Sequence, residues 1–114
     1  MAGVTLARWP DLQRLANFAC REFDLRPKRI EPIVDLRDRA FGRTDANGVV
    51  RIRVHVIGQP TRMLRWATIV DTLAHELAHT DEAGWRHGNE HRELSDLILE
   101  AWRKHKAMSR IVRG

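Results

Sequence analysis

The chain has 114 residues, 43% of them hydrophobic and 31% charged, which allows one modest core and no second sizeable domain. No apolar run is long enough for a bilayer span, and the N-terminus lacks the basic, apolar and small-residue order of a signal peptide. The single cysteine, Cys20, excludes an internal disulfide framework and a cysteine-based zinc module, so the expectation is one cytoplasmic domain, 1–114.

A first helix is predicted over about 10–23, with Pro10 in its first turn and Leu12, Leu15, Ala16, Ala19 and Phe23 as its core stripe. Cys20, within this helix, reads as a small core residue rather than a nucleophile. Pro27 and Pro32 punctuate the next stretch, where residues 30–36 suit an edge strand. Residues 40–44 form a second short strand candidate before Asp45-Ala46-Asn47-Gly48, a turn signal. Residues 49–57 are the clearest strand, with Val50, Ile52, Val54 and Val56 on one face and Arg51, Arg53 and His55 on a solvent face. Gly58 and Pro60 end it. A second helix is expected from 61 or 62 to 80, then a loop over 81–88. A third helix over about 89–106 has the seam Leu94, Leu97, Ile98, Ala101 and Trp102. The order helix, three strands, helix, helix describes an α+β domain with a small three-stranded antiparallel sheet.

The net charge of +5 falls at the C-terminal end. Residues 1–100 hold 15 basic and 15 acidic side chains, while the remainder holds Arg103, Lys104, Lys106, Arg110 and Arg113 and no acid. A basic tail over 103–114 with Trp102 at its start is a candidate for tracking a phosphate backbone and stacking on a base, without sequence preference. The same cations also suit a helix C-terminus and solubility.

The second helix carries the most informative segment, His75-Glu76-Leu77-Ala78-His79. On a helix, His75 and His79 lie one turn apart on one face, a spacing at which two neutral imidazoles grip one divalent metal, usually zinc. Glu76 lies about 100° round the helix, placed to reach an attacking water without being a ligand. Trp66, Val70, Leu73, Ala74 and Leu77 form an apolar stripe roughly opposite the histidines, so one face anchors in a core while the other presents ligands.

A catalytic zinc site needs a third protein ligand and an open position. His87 and His91 are the leading candidates, with Glu90, Glu93 and Glu100 as acidic alternatives. The histidine pair, a short loop and then His87-Gly88 leading into a helix resemble the SprT-like and WLM metallopeptidases; with the preceding strand, the resemblance covers roughly residues 40–100. It implies a zincin-like fold with an HExxH active-site helix and a C-terminal helix. It also implies Zn2+ held by His75, His79 and His87, with Glu76 as the catalytic base. His91 stands where the family has an aromatic residue, and is an alternative ligand or a donor to the ligands. Larger members of the family cleave proteins crosslinked to DNA, which makes protein or peptide substrates and DNA the implied partners.

The resulting expectation is peptide hydrolysis by a metal-activated water, with an extended substrate pairing along an exposed edge of strand 49–57. The chain has no tyrosine, so the oxyanion would fall to zinc, His91 or His55. The rival readings are hydrolysis of a non-peptide bond and a site completed by Glu90, Glu93 or Glu100. A third is a non-catalytic metal protein that contacts nucleic acid through its basic end.

Overall fold

The computed structural model describes residues 3–81 and 89–114. Helix α1 (Trp9–Glu22) starts with Pro10 in its first turn and buries Leu12, Leu15, Ala16 and Ala19. Strands β1 (Arg29–Pro32), β2 (Gly42–Thr44) and β3 (Val49–Ile52) form one sheet in the order β1-β3-β2. β2 and β3 are antiparallel, joined by a turn in which Asp45 Oδ1 accepts the N–H groups of Asn47 and Val49 and Gly48 takes a φ of 83°. β1 pairs with β3 in parallel. The sheet is therefore mixed, not wholly antiparallel as expected, because segment 33–41 crosses to the far side of β3 instead of turning back beside β1.

The expected strand over 49–57 divides. β3 ends at Ile52, and β4 (His55–Val56) makes a separate hairpin with β5 (Gln59–Met63) around Gly58, whose φ is 80°. Residues 61–63, expected to start the second helix, find backbone partners in that hairpin, and Leu64 N–H reaches Val54 O at 2.7 Å. Helix α2 (Trp66–Ala78) follows. Helices α3 (Asn89–Lys104) and α4 (Lys106–Arg113) complete an α+β fold of four helices and two small sheets among the described residues. None of these helices is long and apolar enough to cross a membrane.

The core gathers the α1 stripe, Val50, Ile52 and Val54, the α2 residues Ile69, Val70, Leu73, Ala74, Leu77 and Ala78, and Ile98 and Trp102 of α3. Leu97, expected in the α3 seam, is exposed. Trp102 needs correction as a base-stacking candidate. It is fully buried, and its Nε1–H donates to Leu15 O at 2.9 Å, so no face of the indole is free to meet a base.

The expected continuous helix over 89–106 breaks at His105, whose backbone is extended, and the basic end folds back as α4. Met108, Ile111 and Val112 pack against the core. The Ile111 carbonyl accepts two side-chain hydrogen bonds, from Trp66 Nε1 at 2.7 Å and Arg8 Nη2 at 3.0 Å, besides one from the Gly114 N–H, while the Arg8 guanidinium stacks over the Trp66 ring.

The second correction concerns the polar face of strand 49–57. Arg53 and His55 are each 1% exposed, because segment 38–41 folds over them. Arg53 donates through Nε to Ala40 O at 2.8 Å and through Nη2 to Asp38 O, and its Nη1 faces His55 Nε2 at 2.6 Å. Its backbone N–H also bonds to Phe41 O at 2.8 Å. His55 is thus neither a surface residue nor an oxyanion donor, but an acceptor for a buried cation. Burial, and then the Arg53 charge, push the His55 pKa below its ordinary 6.5.

This arrangement makes stability pH-dependent. The fold holds His55 neutral, whereas the unfolded chain takes up its proton near pH 6.5, so acid favours unfolding below that value. The His55 contribution is complete above pH 6.5 and is lost as the pH falls from there toward the lowered folded pKa. Asp38, held down to about 2 by hydrogen bonds from Arg43 and the Ala40 N–H, acts only in the lower window between 3.8 and about 2. Thermal melts from pH 7.5 to 5 should show a falling Tm in the wild type and a flatter profile in His55→Gln, which keeps an acceptor for Arg53 without the titration.

Candidate metal centre

Burial of α2 determines where its histidines go. Ile69, Val70, Leu73, Ala74, Leu77 and Ala78 are all 2% exposed or less, which turns His75 outward and leaves His79 half-buried. The last turn of the helix tightens, with His79 N–H donating to Glu76 O at 3.1 Å and Thr80 N–H to Leu77 O at 3.0 Å. The His75 carbonyl is bonded instead by the His91 ring, whose Nε2 lies 2.9 Å from it.

His91 reaches this point from the first turn of α3. It shares a face with Leu94, Ile98 and Trp102, so the apolar seam that docks α3 on the core ends in an imidazole beside α2. The ligand atoms offered by His75, His79 and His91 all lie within 4.8 Å of one another. Their rings are mutually close, with centroids 4.9 Å apart for His75 and His79, 4.4 Å for His75 and His91, and 3.9 Å for His79 and His91. Three histidines are therefore close enough to hold one metal ion.

Two details fit a metal. The Nε2 atoms of His75 and His79 stand 3.3 Å apart. Two nitrogens at about 2.0–2.1 Å from a tetrahedral zinc are separated by about 3.3 Å, so the pair needs almost no adjustment. A carbonyl oxygen can only accept, so the His91 contact makes Nε2 the donor and leaves the lone pair of the neutral ring on Nδ1. An outer hydrogen bond of this kind fixes the tautomer and orientation of a metal-binding histidine.

The family resemblance assigned the third ligand to His87, which lies outside the described residues, as does the side chain of Glu90. Glu93 and Glu100 are exposed, Glu100 pairs with Lys104 at 3.0 Å, and among the described residues no carboxylate joins the cluster.

Glu76 turns from the histidines toward the sheet and is 7% exposed. Its Oε1 is 2.9 Å from Thr44 Oγ1, which also lies 3.0 Å from the Glu76 carbonyl oxygen. On the same face of β2, Gly42 sits so close that a Cβ there would come within 2.7 Å of Glu76 Cγ and Thr72 Cγ2 and 3.1 Å of Glu76 Oε2. A cleft of about 380 Å³ opens between β2 and α2, lined by Phe41, Gly42, Asp71, Thr72, His75 and Glu76. It runs beside an edge strand, since β3 lies between β1 and β2. The expectation that strand 49–57 offers the free edge is corrected accordingly.

Gly42 and Thr44 were not singled out from the sequence. A three-residue strand gives too short a period-2 pattern to show which side chains face the helix. Arg103, Lys104, Lys106, Arg110 and Arg113 are all exposed. Comparison with protein-family models, with curated proteins and with solved structures finds no match to this chain.

Metal analysis of single variants tests the cluster. His75→Ala, His79→Ala and His91→Ala should each lose bound zinc, with affinity down more than about 100-fold, beyond the 10- to 100-fold typical of losing an outer hydrogen bond. Retention of zinc in His91→Ala with its loss in His87→Ala would return the third position to His87.

Proposed function

We propose that this chain is a zinc-dependent metallopeptidase of the zincin type, similar to the SprT-like and WLM enzymes, that hydrolyses peptide bonds. The observation that carries this reading is the convergence of three imidazoles, one of which, His75, lines with Glu76 a cleft bordered by a sheet edge. Among the described residues the donor set is all nitrogen, which suits zinc and disfavours magnesium or calcium.

His75, His79 and His91 would hold the zinc, which when bound would supply a Lewis acid for the scissile carbonyl and bring the acidity of a water close to neutral pH. The protein supplies the rest. Among the described residues lining the cleft the carboxylates are Glu76 and the exposed Asp71; Glu76, next to His75, takes the proton of the attacking water and delivers it to the leaving amine. An extended substrate adds to the free edge of β2, which places its backbone along the cleft next to His75 and Glu76.

DNA-bound proteins are the substrates this reading favours, on a separate observation. Lys106, Arg110 and Arg113 fall on one face of α4, opposite Met108, Ile111 and Val112, and Arg103 and Lys104 extend the positive surface onto the end of α3. Such a stripe tracks phosphates without reading bases.

Two measurements follow. Glu76→Gln should keep its zinc and lose about 10²- to 10⁴-fold in peptide hydrolysis, measured with and without DNA. Wild-type protein that binds zinc and cleaves nothing, with Glu76→Gln biologically intact, would favour a non-catalytic metal protein instead. Separately, alanine at Lys106, Arg110 and Arg113 should weaken DNA binding uniformly across sequences and shallow its salt dependence by about one unit of log–log slope per lost phosphate contact. An unchanged slope would remove α4 from the DNA surface.

A further inference from the structure

We propose that Thr44 is the positioning residue for Glu76, and that with Gly42 it selects Oε2 as the oxygen that works as the base. The inference rests on the metallopeptidase reading only for the use of that base; the cradle itself is a matter of the chain's own contacts.

A carboxylate on a helix has three rotatable bonds and two equivalent oxygens, so a general base must be held before it can act from one direction. Residues 42 and 44 are two apart on β2 and present one face to α2. At position 44 a hydroxyl meets Oε1 at 2.9 Å, and at position 42 the missing Cβ leaves the space taken by Glu76 Cγ and Oε2. Thr44 Oγ1 has one proton and two acceptors in reach, Oε1 and the Glu76 carbonyl. The carbonyl already accepts from His79 N–H, and a bond to an ionised carboxylate is the stronger one, so the proton goes to Oε1. Oε1 then has one of its two lone pairs engaged by a donor. Oε2, on the side of Gly42, keeps its lone pairs for the cleft that Gly42 helps to line. No atom is transferred to Thr44 at any point; it fixes the direction from which Glu76 receives the proton of the water.

Thr44→Val removes the hydroxyl while keeping a β-branched residue suited to the strand. Thr44→Ser keeps the hydroxyl. In zinc-loaded protein, Thr44→Val should lower kcat about 10- to 100-fold with KM and zinc content unchanged, and Thr44→Ser should recover most of the loss. A second readout needs no metal and no activity. In chelator, a double-mutant cycle of Thr44→Val with Glu76→Ala, followed by denaturant unfolding, should show coupling of at least about threefold in the folding equilibrium constant. Coupling in the cycle supports the cradle even where the wild type proves inactive, in which case the peptidase reading alone falls. An active wild type whose Thr44→Val variant is equally active, a Thr44→Ser variant as impaired as Thr44→Val, or a cycle without coupling overturns the proposal.

Discussion

The structure depends on the burial of one broad face of α2. Six apolar residues between Ile69 and Ala78 are removed from water, held by α1 and α3, by Val50 and Ile52 of β3 and by Val54. Rotating the helix by even one residue position, about 100°, would put apolar side chains in water and polar ones in the core. That rotation is therefore fixed, and with it the direction of His75, Glu76 and His79. The site needs no flexible loop to aim these three side chains, because the core aims them. His91 is directed in the same way from the other helix: its seam ends in Trp102, whose indole N–H is bonded to the α1 backbone.

A buried cation completes the scaffold on the sheet side. Arg53 gives up its hydration in the interior, and burial lowers its pKa accordingly. The cost is offset by acceptors on several donors: the carbonyls of Asp38 and Ala40 and the neutral ring of His55. Segment 38–41 is irregular, and its carbonyls need donors once it lies against the core. Arg53 supplies them and so tethers the residues that lead directly into Phe41 and Gly42 of the cleft. Arg43, on β2, adds an outer tie by bonding Asp38 at 2.8 Å through both Nε and Nη2. The edge strand is thus fastened on one side by a surface ion pair and on the other by a buried guanidinium, which allows three residues to hold a fixed relation to α2.

Much of this was legible in the sequence, and the failures have a common physical origin. The α1 stripe and the α2 stripe appeared because long helices repeat their burial every three to four residues, and each repeat reinforces the reading. The pairing of His75 and His79 followed from the same period. The strands failed where chain topology decides burial. Alternation from 49 to 57 places Arg53 and His55 in solvent, but a segment from another part of the chain covers that face, and no local pattern announces it. The parallel pairing of β1 is equally non-local, since a short strand reads the same in either direction. His91 was recognised as facing inward with Leu94 and Ile98, but the sequence could not say that the inward direction ends at the His75 carbonyl. Gly42 and Thr44 had no pattern at all; their meaning comes only from the helix that lies across them.

The basic end shows how the same composition acquires a different physical character once folded. An isolated helix of eight residues is unstable in water, so α4 exists because Met108, Ile111 and Val112 pack on the core and because Arg8 and Trp66 bond the Ile111 carbonyl. Two consequences follow. Trp102, which looked like a stacking surface at the root of a tail, is instead a structural anchor, and aromatic contact with a base loses its candidate. The cations, by contrast, gain from the folding. A disordered tail must lose backbone freedom when it meets a phosphate backbone, whereas Lys106, Arg110 and Arg113 already share one face of a docked helix and lose only side-chain freedom. What is given up is reach: a rigid stripe engages a polyanion only when that face is presented to it. Cleavage of a DNA-bound protein would then be confined to orientations in which the α4 face meets the phosphates while the substrate strand lies along β2, and this geometric demand, not base readout, is the selectivity such an enzyme would have.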